Sequence, residues 1–379
     1  MLQGVLRFSP VFFWLLLFFY LARIPLAIEA YRNQKKKRTI RCRIPTISVI
    51  IPARNEAINL AILLESLNKQ SLKPEEIIVV DDNSEDETAE IARKAGVRLI
   101  NPGPLPAGWN GKSHACFRGA EAASGFLLIF LDADTRLEKE GLEVMLNLYL
   151  EGRGLVSIQP YHRMQKAYER LSAFFNLIVF LNMNISSYIP ALNRSSGAFG
   201  PCILCSRTDY FNIGGHQAVR GEVIEDMALA RLAQKKGLPV WCYAGRGVIS
   251  FRMYPGGLRS LIEGWTKNFA SGAASTGPWF FLVTFGWVAG AMSGPVDMVK
   301  GIAGNQTFLW QLGAALYLIY GFQIYFFLKK LGNFGFLTSI LYPFYLLFFI
   351  LVFLRSMFYT VLLGFVHWKG RKLYVRRVK

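Results

Sequence analysis

The sequence is short of acidic residues. Its 379 residues include 43 Lys and Arg against 25 Asp and Glu, which gives a formal net charge of +18. Such a basic balance is typical of proteins that bind nucleic acid or an anionic membrane surface. No nucleic-acid-binding motif is present, and the basic clusters adjoin apolar segments. The composition therefore favours the membrane surface.

Cysteine is also scarce, and its pattern excludes a disulfide framework. The five cysteines are scattered along the chain, as is typical of a reducing compartment. A single Cys-x-x-Cys, from Cys202 to Cys205, lies inside an apolar run. It lacks both a second ligand pair and a redox-fold context, so we expect these cysteines to pack in the core.

The chain has no convincing signal-peptide cleavage site, although its N-terminus is strongly apolar. Residues 11–28 are long enough, or nearly so, to cross a bilayer. Seven Lys and Arg follow within residues 32–43, which by the positive-inside rule places that flank in the cytoplasm. The sequence predicts an uncleaved membrane anchor rather than a cleaved signal peptide.

Apolar residues dominate again from Pro278 onward. Candidate spans cover about 279–298, 307–328 and 336–354, and the last continues in apolar fashion to 366. The tail, 369–379, holds six cations and is expected in the cytoplasm. An anchor followed by three full spans would put that tail outside, so one segment must be re-entrant or interfacial. The sequence leaves open which one.

The sequence thus predicts a multi-pass protein of the cell membrane whose middle region faces the cytoplasm. The apolar excess lies at its two ends, and the middle resembles a globular domain. The predicted regions are an anchor (1–31), a basic linker (32–45), a catalytic domain (46–277), a C-terminal membrane region (278–366) and a basic tail (367–379).

The middle region alternates strands with helices, which predicts a doubly wound, mostly parallel sheet with its ligand at the carboxyl ends of the strands. The predicted strands are 46–52, 75–81, 97–100, 126–131, 154–160 and 199–205. The predicted helices are 57–70, one after Ser84, 112–124 and one opening at Val223. Ser84 and Glu87 have the spacing of a capping box. The apolar segment 168–189 contains three Asn, which favours a helix in the interface or packed on the membrane region over a span.

The most informative stretch is the apolar run 126–131, which leads directly into Asp132-Ala-Asp134. Such a run predicts a strand buried on both faces. Two carboxylates at its carboxyl end would face the ligand crevice. Hard oxygen ligands suit Mg²⁺ or Mn²⁺, which take their remaining ligands from water and substrate phosphates. An ordinary strand-to-helix turn also explains an isolated Asp-x-Asp. The surrounding motifs are therefore needed to choose between a metal site and a turn.

The order of those motifs resembles family-2 glycosyltransferases of the GT-A fold over residues 46–270. A strand ending Pro-Ala-Arg-Asn-Glu56 precedes one ending Asp-Asp-Asn83; Gly-Lys112, the Asp-x-Asp and Glu225-Asp226 follow. The resemblance implies a UDP-sugar donor, with Asp132 and Asp134 as metal ligands. It implies a donor site formed by Ala53, Arg54, Glu56, Asp82, Lys112, Asp132, Trp265 and Lys267. Taken singly, Glu56 could be an N-cap neighbour, Asp82 a turn former and Lys112 a solvated surface residue.

The acidic pair would act on the acceptor. The resemblance implies that the second acid, Asp226, is the catalytic base, with Glu225 as the alternative. Stabilisation of a helix N-terminus alone would also explain the pair.

One motif departs from the pattern of processive polysaccharide synthases, which carry Gln-x-x-Arg-Trp. Here Trp265 is present, but the Gln and the adjacent Arg are not. Lys267 or Arg259 would then neutralise the diphosphate. This departure argues for transfer of a single sugar.

Further blocks resemble the carotenoid-acid glucosyltransferases of C30 pigment pathways, the 4,4'-diaponeurosporenoate glycosyltransferases. They are Gly-Lys-Ser-His-Ala-Cys116, Gln159-Pro-Tyr-His162, Ala-Phe-Gly-Pro201, Gly-Gly-His216, Phe251-Arg-Met-Tyr254, Glu-Gly-Trp-Thr-Lys267 and Trp368-Lys-Gly-Arg371. This resemblance implies inverting glucose transfer from UDP-glucose to the carboxylate of an apolar polyene.

Three histidines, His114, His162 and His216, lie in these blocks and would either contact substrate or be structural. Two alternatives remain for the function. One is transfer to another lipid (hopanoid, sterol or diacylglycerol). The other is a non-catalytic GT-A-like membrane assembly protein, against which the intact Asp-x-Asp and Glu-Asp argue.

Overall fold

The structure is a computed structural model. It describes residues 24–35, 44–183, 195, 197–222, 224–272, 278–368 and 371–374. The chain divides into two compact units. The sheet unit comprises residues 25–163 and 194–252, and the helical unit comprises Ile24, 164–193 and 253–379, so far as these are described.

The sheet unit is built on a seven-stranded sheet in the order β3-β2-β1-β4-β8-β6-β9. Its strands are β1 (Ile47–Ala53), β2 (Glu76–Asp81), β3 (Arg98–Ile100), β4 (Leu127–Leu131), β6 (Leu155–Gln159), β8 (Cys202–Ser206) and β9 (Val240–Ala244). All neighbours pair in parallel except β8, which is antiparallel to both β4 and β6. The predicted α/β, mostly parallel sheet is therefore confirmed.

A smaller sheet and the helices complete this unit. The smaller sheet has the order β5-β10-β7 and consists of β5 (Thr135–Leu137), β7 (Tyr161–His162) and β10 (Ile249–Phe251). The helices are α1 (Ala27–Lys35), α2 (Ala57–Asn68), α3 (Thr88–Lys94), α4 (Gly111–Ala122), α5 (Gly141–Gly152), α7 (Arg207–Asn212), α8 (Gly215–Ala218) and α9 (Glu225–Lys235).

Strand β4 lies at the centre of the sheet, and all five of its residues are buried. It pairs in parallel with β1, placing Ile50 opposite Phe130, and β1 in turn pairs with β2, placing Ala53 opposite Asp81. The three strands end at the same edge because they run in the same direction. This register brings the polar residues after each strand together.

The N-terminal boundary of the sheet unit differs from the predicted one. Residues 25–31 were assigned to the membrane anchor, but Pro25 O accepts a hydrogen bond from Ala244 N (2.9 Å), and Ala27 and Tyr31 of α1 are buried in the core. Tyr31 Oη also donates to Glu143 Oε1 (2.6 Å). Helix α1 thus packs against α5. Residues 1–23 of the predicted anchor and 36–43 of the basic linker lie outside the described residues.

The predicted capping box is wrong. Helix α3 begins at Thr88, and Glu87 at its N-cap makes no side-chain capping bond. The Ser84 hydroxyl instead accepts a hydrogen bond from Asn55 N (3.0 Å). Asp86 takes the capping role, since its Oδ1 accepts from Thr88 N at 3.0 Å. Ser84 thus joins the loop after β2 to the loop after β1. Its spacing from Glu87 in the sequence does not reveal this contact.

The helical unit is dominated by long apolar helices. They are α6 (Ala173–Asn182), α10 (Leu258–Gly272), α11 (Pro278–Ala303), α12 (Thr307–Leu331), α13 (Phe336–Ile340) and α14 (Tyr342–Phe358). A 3₁₀ segment, Ala167–Ser172, precedes α6, and a π-helical turn, Tyr359–Leu363, follows α14. The chain then forms a hairpin of β11 (Phe365–Trp368) and β12 (Arg371–Tyr374).

Two of the predicted spans have the length and composition to cross a membrane, namely Phe281–Ala303 and Thr307–Leu331. Phe285 and Phe308 on these helices are more than half exposed. Between the helices, Trp287 Nε1 donates to Gln323 Oε1 (3.0 Å). Large apolar side chains therefore cover the outside of this pair, and a hydrogen bond between an indole and an amide joins the two helices inside it.

The third predicted span is not continuous. Residues 336–354 form the short α13 and then α14, which has 17 residues and Pro343 in its first turn. At about 1.5 Å per residue, α14 is roughly 26 Å long, somewhat less than the ~30 Å hydrocarbon core. The predicted apolar continuation to 366 ends in the hairpin, because Gly364 adopts a left-handed φ of 71°.

The predicted catalytic domain, 46–277, is also not one unit, because 164–193 and 253–277 belong to the helical unit. Helix α6 packs against α12 and α14, with Phe174 and Phe175 fully buried. This agrees with the prediction that segment 168–189 packs on the apolar helices, although its residues from 184 onward lie outside the described residues.

Candidate active site

The sheet edge formed by β1, β2 and β4 collects most of the predicted site residues. Arg54, Asp82 and Asp132 each directly follow one of these strands. Asp82 N donates to Ala53 O (2.9 Å), which extends the β1–β2 ladder by one residue. Thr135 fixes the turn after β4, since its backbone N and Oγ1 both donate to Asp132 O.

The loops after β1 and β2 are joined to each other. Asn55, which has a positive φ of 55°, accepts from Glu85 N at 2.8 Å through its Oδ1. Glu56 N donates to Thr88 Oγ1 (2.9 Å), and the Glu56 carboxylate accepts from Asn59 Nδ2 (2.6 Å). Glu56 is also the N-cap residue of α2, without a side-chain capping bond. These contacts hold the Glu56 loop in a defined position.

Asp82 is buried against the N-terminus of α4. A Cβ at Gly111 would lie 2.3 Å from Asp82 Oδ2, so only glycine allows this approach. Arg54 Nη1 lies 3.7 Å from the same oxygen. Sequence reasoning took Gly111 only as part of the Gly-Lys element; its packing role requires the tertiary structure.

Lys112 connects the two groups of acids. Its ammonium lies 2.7 Å from Asp132 Oδ1 and 3.4 Å from Glu225 Oε1. Burial lowers the pKa of Lys112, but the two carboxylates outweigh burial and hold the pKa well above its ordinary value. Lys112 is therefore protonated at neutral pH and places a positive charge between Asp132 and the acidic pair.

The acidic pair begins α9, as predicted. Asp226 Oδ2 accepts from Gly200 N (2.7 Å), and Oδ1 accepts from Met227 N (2.9 Å). Burial and the neighbouring Glu225 raise the pKa of Asp226 to about 6. Sequence reasoning missed Gly200, whose Cβ, if present, would lie 2.8 Å from Asp226 Oδ2. The Ala-Phe-Gly-Pro block was noted, but nothing in it points to Asp226.

The Asp-x-Asp carboxylates have the chemistry of a divalent-cation site. Burial and the nearby carboxylates Asp132 and Glu56 raise the pKa of Asp134 to about 7, which a bound cation would reverse. Among the residues that the structure describes, no group of three or more His, Cys, Asp or Glu is arranged to hold a metal. Two carboxylates supply hard oxygen ligands, which fit an ion that takes its other ligands from water and diphosphate.

The three histidines of the sequence blocks are all buried. His216 Nδ1 lies 2.8 Å from Tyr210 Oη, and burial lowers its pKa to about 4, which indicates a neutral, structural imidazole. His162 packs edge-on against Phe251. His114, which is on α4, packs against Trp109 in the preceding loop, and burial lowers the pKa of His114. The structural interpretation is best supported for His216.

The Cys202 and Cys205 thiols are buried in β8, on opposite faces of the strand. Burial raises the pKa of both thiols well above the ordinary value. The predicted core role of this Cys-x-x-Cys is therefore confirmed.

Trp265 and Lys267 lie on α10 of the helical unit. Trp265 is buried, stacks on Phe175 at 4.8 Å between ring centroids, and donates from Nε1 to Ser172 Oγ at 3.0 Å. Its indole donor is thus already used within its own unit. Donor contact by either residue stays a prediction.

Residues 48–204 match the family described as glycosyl transferase family 2. Over 345 residues the chain is 36% identical to 4,4'-diaponeurosporenoate glycosyltransferase of Staphylococcus aureus strain USA300, covering 90% of this chain and 92% of that protein. The corresponding protein of strain MRSA252 gives the same identity and coverage. The chain belongs to glycosyl transferase family 2, and its sheet unit has the GT-A fold, as the sequence predicted.

Solved structures similar to the chain include glucosyl-3-phosphoglycerate synthase from Mycobacterium tuberculosis in complex with Mn²⁺, UDP and phosphoglyceric acid. The match has 21% identity and a TM-score of 0.42, covering 61% of this chain and 78% of that one. TarS of S. aureus matches with 16% identity and a TM-score of 0.39, covering 59% of this chain and 39% of that one.

Proposed function

We propose that this glycosyltransferase transfers a single glucose from UDP-glucose, with inversion, to the carboxylate of an apolar carotenoid acid. The Lys112 ammonium between Asp132 and Glu225 is the observation that carries the proposal, since it joins a diphosphate site to an acceptor site. The acceptor is supported by relatives named 4,4'-diaponeurosporenoate glycosyltransferase, which are 36% identical over 90% of this chain.

The donor would bind along the edge of β1, β2 and β4, at the carboxyl ends of the strands. Ala53, Arg54, Glu56 and Asp82 would contact the nucleoside, with Asp82 held in place by Gly111. Lys112 would face the diphosphate. Asp132 and Asp134 would hold Mg²⁺ or Mn²⁺, which when bound offsets the charge of the departing diphosphate.

The reaction is a single displacement. A carboxylate oxygen of the acceptor attacks the anomeric carbon, and the bond from that carbon to the diphosphate oxygen breaks with its electron pair on the leaving UDP. A carboxylate needs no proton removed, because its pKa is about 4 to 5 and it is ionised at neutral pH. Asp226, fixed by the Gly200 and Met227 backbone N–H groups, would position the acceptor.

The protein would act at the cytoplasmic face of the membrane. α11 and α12 would span the bilayer, and α14, the shortest of the three long C-terminal helices, would be the interfacial segment. With an N-terminal anchor before Pro25, two full C-terminal spans would put both basic flanks on the cytoplasmic side. This assignment removes the conflict that three full spans create.

Radiolabelled UDP-glucose supplied to purified membranes with a panel of lipid acceptors tests the acceptor. The panel contains a polyene acid, the matching polyene alcohol, a sterol, a hopanoid and diacylglycerol. We expect one labelled product, formed from the polyene acid and released by mild alkali as an ester would be. Label on another lipid would identify that lipid as the acceptor in place of the polyene acid. Failure to bind UDP with Mn²⁺ would indicate a non-catalytic protein.

A truncation tests the membrane assignment. Removal of residues 1–23 should leave the protein folded and in the membrane fraction, because Pro25, Tyr31 and the apolar α11 and α12 remain. Removal of residues 1–35 should also destabilise it, by roughly 3 kcal/mol or more, because the buried Tyr31 side chain is lost. Centrifugation and thermal unfolding report the two effects. A fully soluble 24–379 protein would contradict the C-terminal spans.

A further inference from the structure

The two oxygens of Asp132 both face the same ammonium. Lys112 Nζ lies 2.7 Å from Oδ1 and 3.0 Å from Oδ2, and the Glu225 carboxylate lies on its other side at 3.4 Å. Contacts this short are charge-assisted and among the stronger polar interactions in proteins. Asp132 is also one of the two carboxylates that would hold the divalent cation in the proposed function. The Asp132 carboxylate would therefore have two cationic partners, the Lys112 ammonium and the divalent ion.

We propose that Lys112 competes with the divalent cation for Asp132, and that the donor's diphosphate relieves this competition by offering the ammonium another anionic partner. The proposal rests on the metal and donor sites of the proposed function. An ammonium and a divalent ion on one carboxylate repel each other strongly at such distances. Metal alone should therefore bind weakly, and nucleotide should strengthen its binding.

The position of Lys112 makes such a transfer feasible. Lys112 is the second residue of α4, whose N-terminus lies against Asp82 on the predicted nucleoside side, and its side chain is about one-third exposed. A flexible ammonium at a helix N-terminus can turn from Asp132 toward a phosphate without movement of the backbone. Glu225 keeps a second contact that limits how far the ammonium moves.

Coupling of this kind is reciprocal, since nucleotide must strengthen metal binding by the same factor as metal strengthens nucleotide binding. Direct contact between metal and phosphate supplies part of that factor in any nucleotide–metal site. The part supplied by Lys112 has a distinct signature, because removing the ammonium should strengthen binding of the metal alone. Loss of a phosphate ligand by itself would not strengthen binding of the metal alone.

The test is titration of Mn²⁺, followed by its electron paramagnetic resonance signal, into the purified full-length protein in detergent, with and without UDP. For Lys112→Met we expect metal-alone affinity to rise by about fivefold or more, and the coupling factor with UDP to fall. Arg54→Met is the matched control, because it removes a neighbouring positive charge that pairs with Asp82 instead. Asp132→Asn identifies the Mn²⁺ that belongs to this site.

The outcomes separate this proposal from the proposed function. Unchanged or weaker Mn²⁺ binding in Lys112→Met, while wild type binds Mn²⁺ with UDP, would overturn the competition alone. An equal rise in Arg54→Met would also overturn it, by showing a general charge effect. Absence of Mn²⁺ binding in wild type with UDP would overturn the metal site and the competition together. Lys112→Gln replaces Lys112→Met if thermal unfolding shows that the latter is misfolded.

Discussion

Replacing Asp134 with alanine is expected to abolish glucose transfer and leave the fold intact. A divalent ion that stabilises the departing diphosphate contributes several kcal/mol, so the loss should be about 10³-fold or more. The fold should not suffer, because Asp134 is a partly buried carboxylate whose pKa burial and Asp132 raise to about 7. Such a group adds like-charge repulsion, which alanine removes.

The measurements are turnover with UDP-glucose in Mn²⁺ and in EDTA, together with UDP binding and thermal unfolding. Glu90→Ala is the matched control, since it removes an exposed carboxylate that pairs with Lys94 on α3. It should leave turnover unchanged. Equal wild-type activity in EDTA and in Mn²⁺ would contradict the metal role of Asp132 and Asp134.

The substitution Asp226→Asn should separate the two acceptor chemistries. With a lipid alcohol, a base must remove the hydroxyl proton, and its loss costs roughly 10² to 10⁴-fold. With a polyene acid no proton needs removal, so much of the turnover should remain. A modest loss is still expected, because asparagine has one acceptor oxygen where Asp226 uses two, for Gly200 N and Met227 N.

The pH dependence of turnover is a second test of the role of Asp226. Burial and Glu225 raise the pKa of Asp226 to about 6, so the carboxylate ionises as pH rises through that value. Turnover of the alcohol should therefore increase across pH 6 in wild type and lose that step in Asp226→Asn. Turnover of the acid, which ionises at about 4 to 5, should show no such step. If Asp226→Asn lost more than roughly a hundredfold in turnover of the polyene acid, the proposal of a carboxylate acceptor would be contradicted.

The sequence alone predicted the strands and their polar ends well. An unbroken apolar run such as 126–131 has few stable arrangements other than a strand buried on both faces, and it became β4. Strands alternating with helices imply parallel pairing, which places Asp82 and Asp132 at one edge. The order of the motifs then predicted the family. Local pattern and chain order sufficed for these features because they depend on short-range periodicity.

Contacts between distant segments could not be predicted in this way. Ser84 has capping-box spacing but accepts from Asn55 N, and Tyr31 lies beside an apolar anchor but packs in the core with Glu143. The antiparallel direction of β8 was equally hidden, since an apolar strand of five residues pairs in either direction. Each outcome was decided by competition between partners far apart in sequence.

The same division applies to the candidate site. The sequence by itself determined which groups are present: two aspartates after a buried strand, a lysine at a helix start and an acidic pair. Only the tertiary structure brought Lys112 within 2.7 Å of Asp132 and 3.4 Å of Glu225, and set Gly200 N against Asp226. Residue types are set by the chain, but charge–charge distances are set by how sheet and helices pack, and the strength of each interaction depends on those distances.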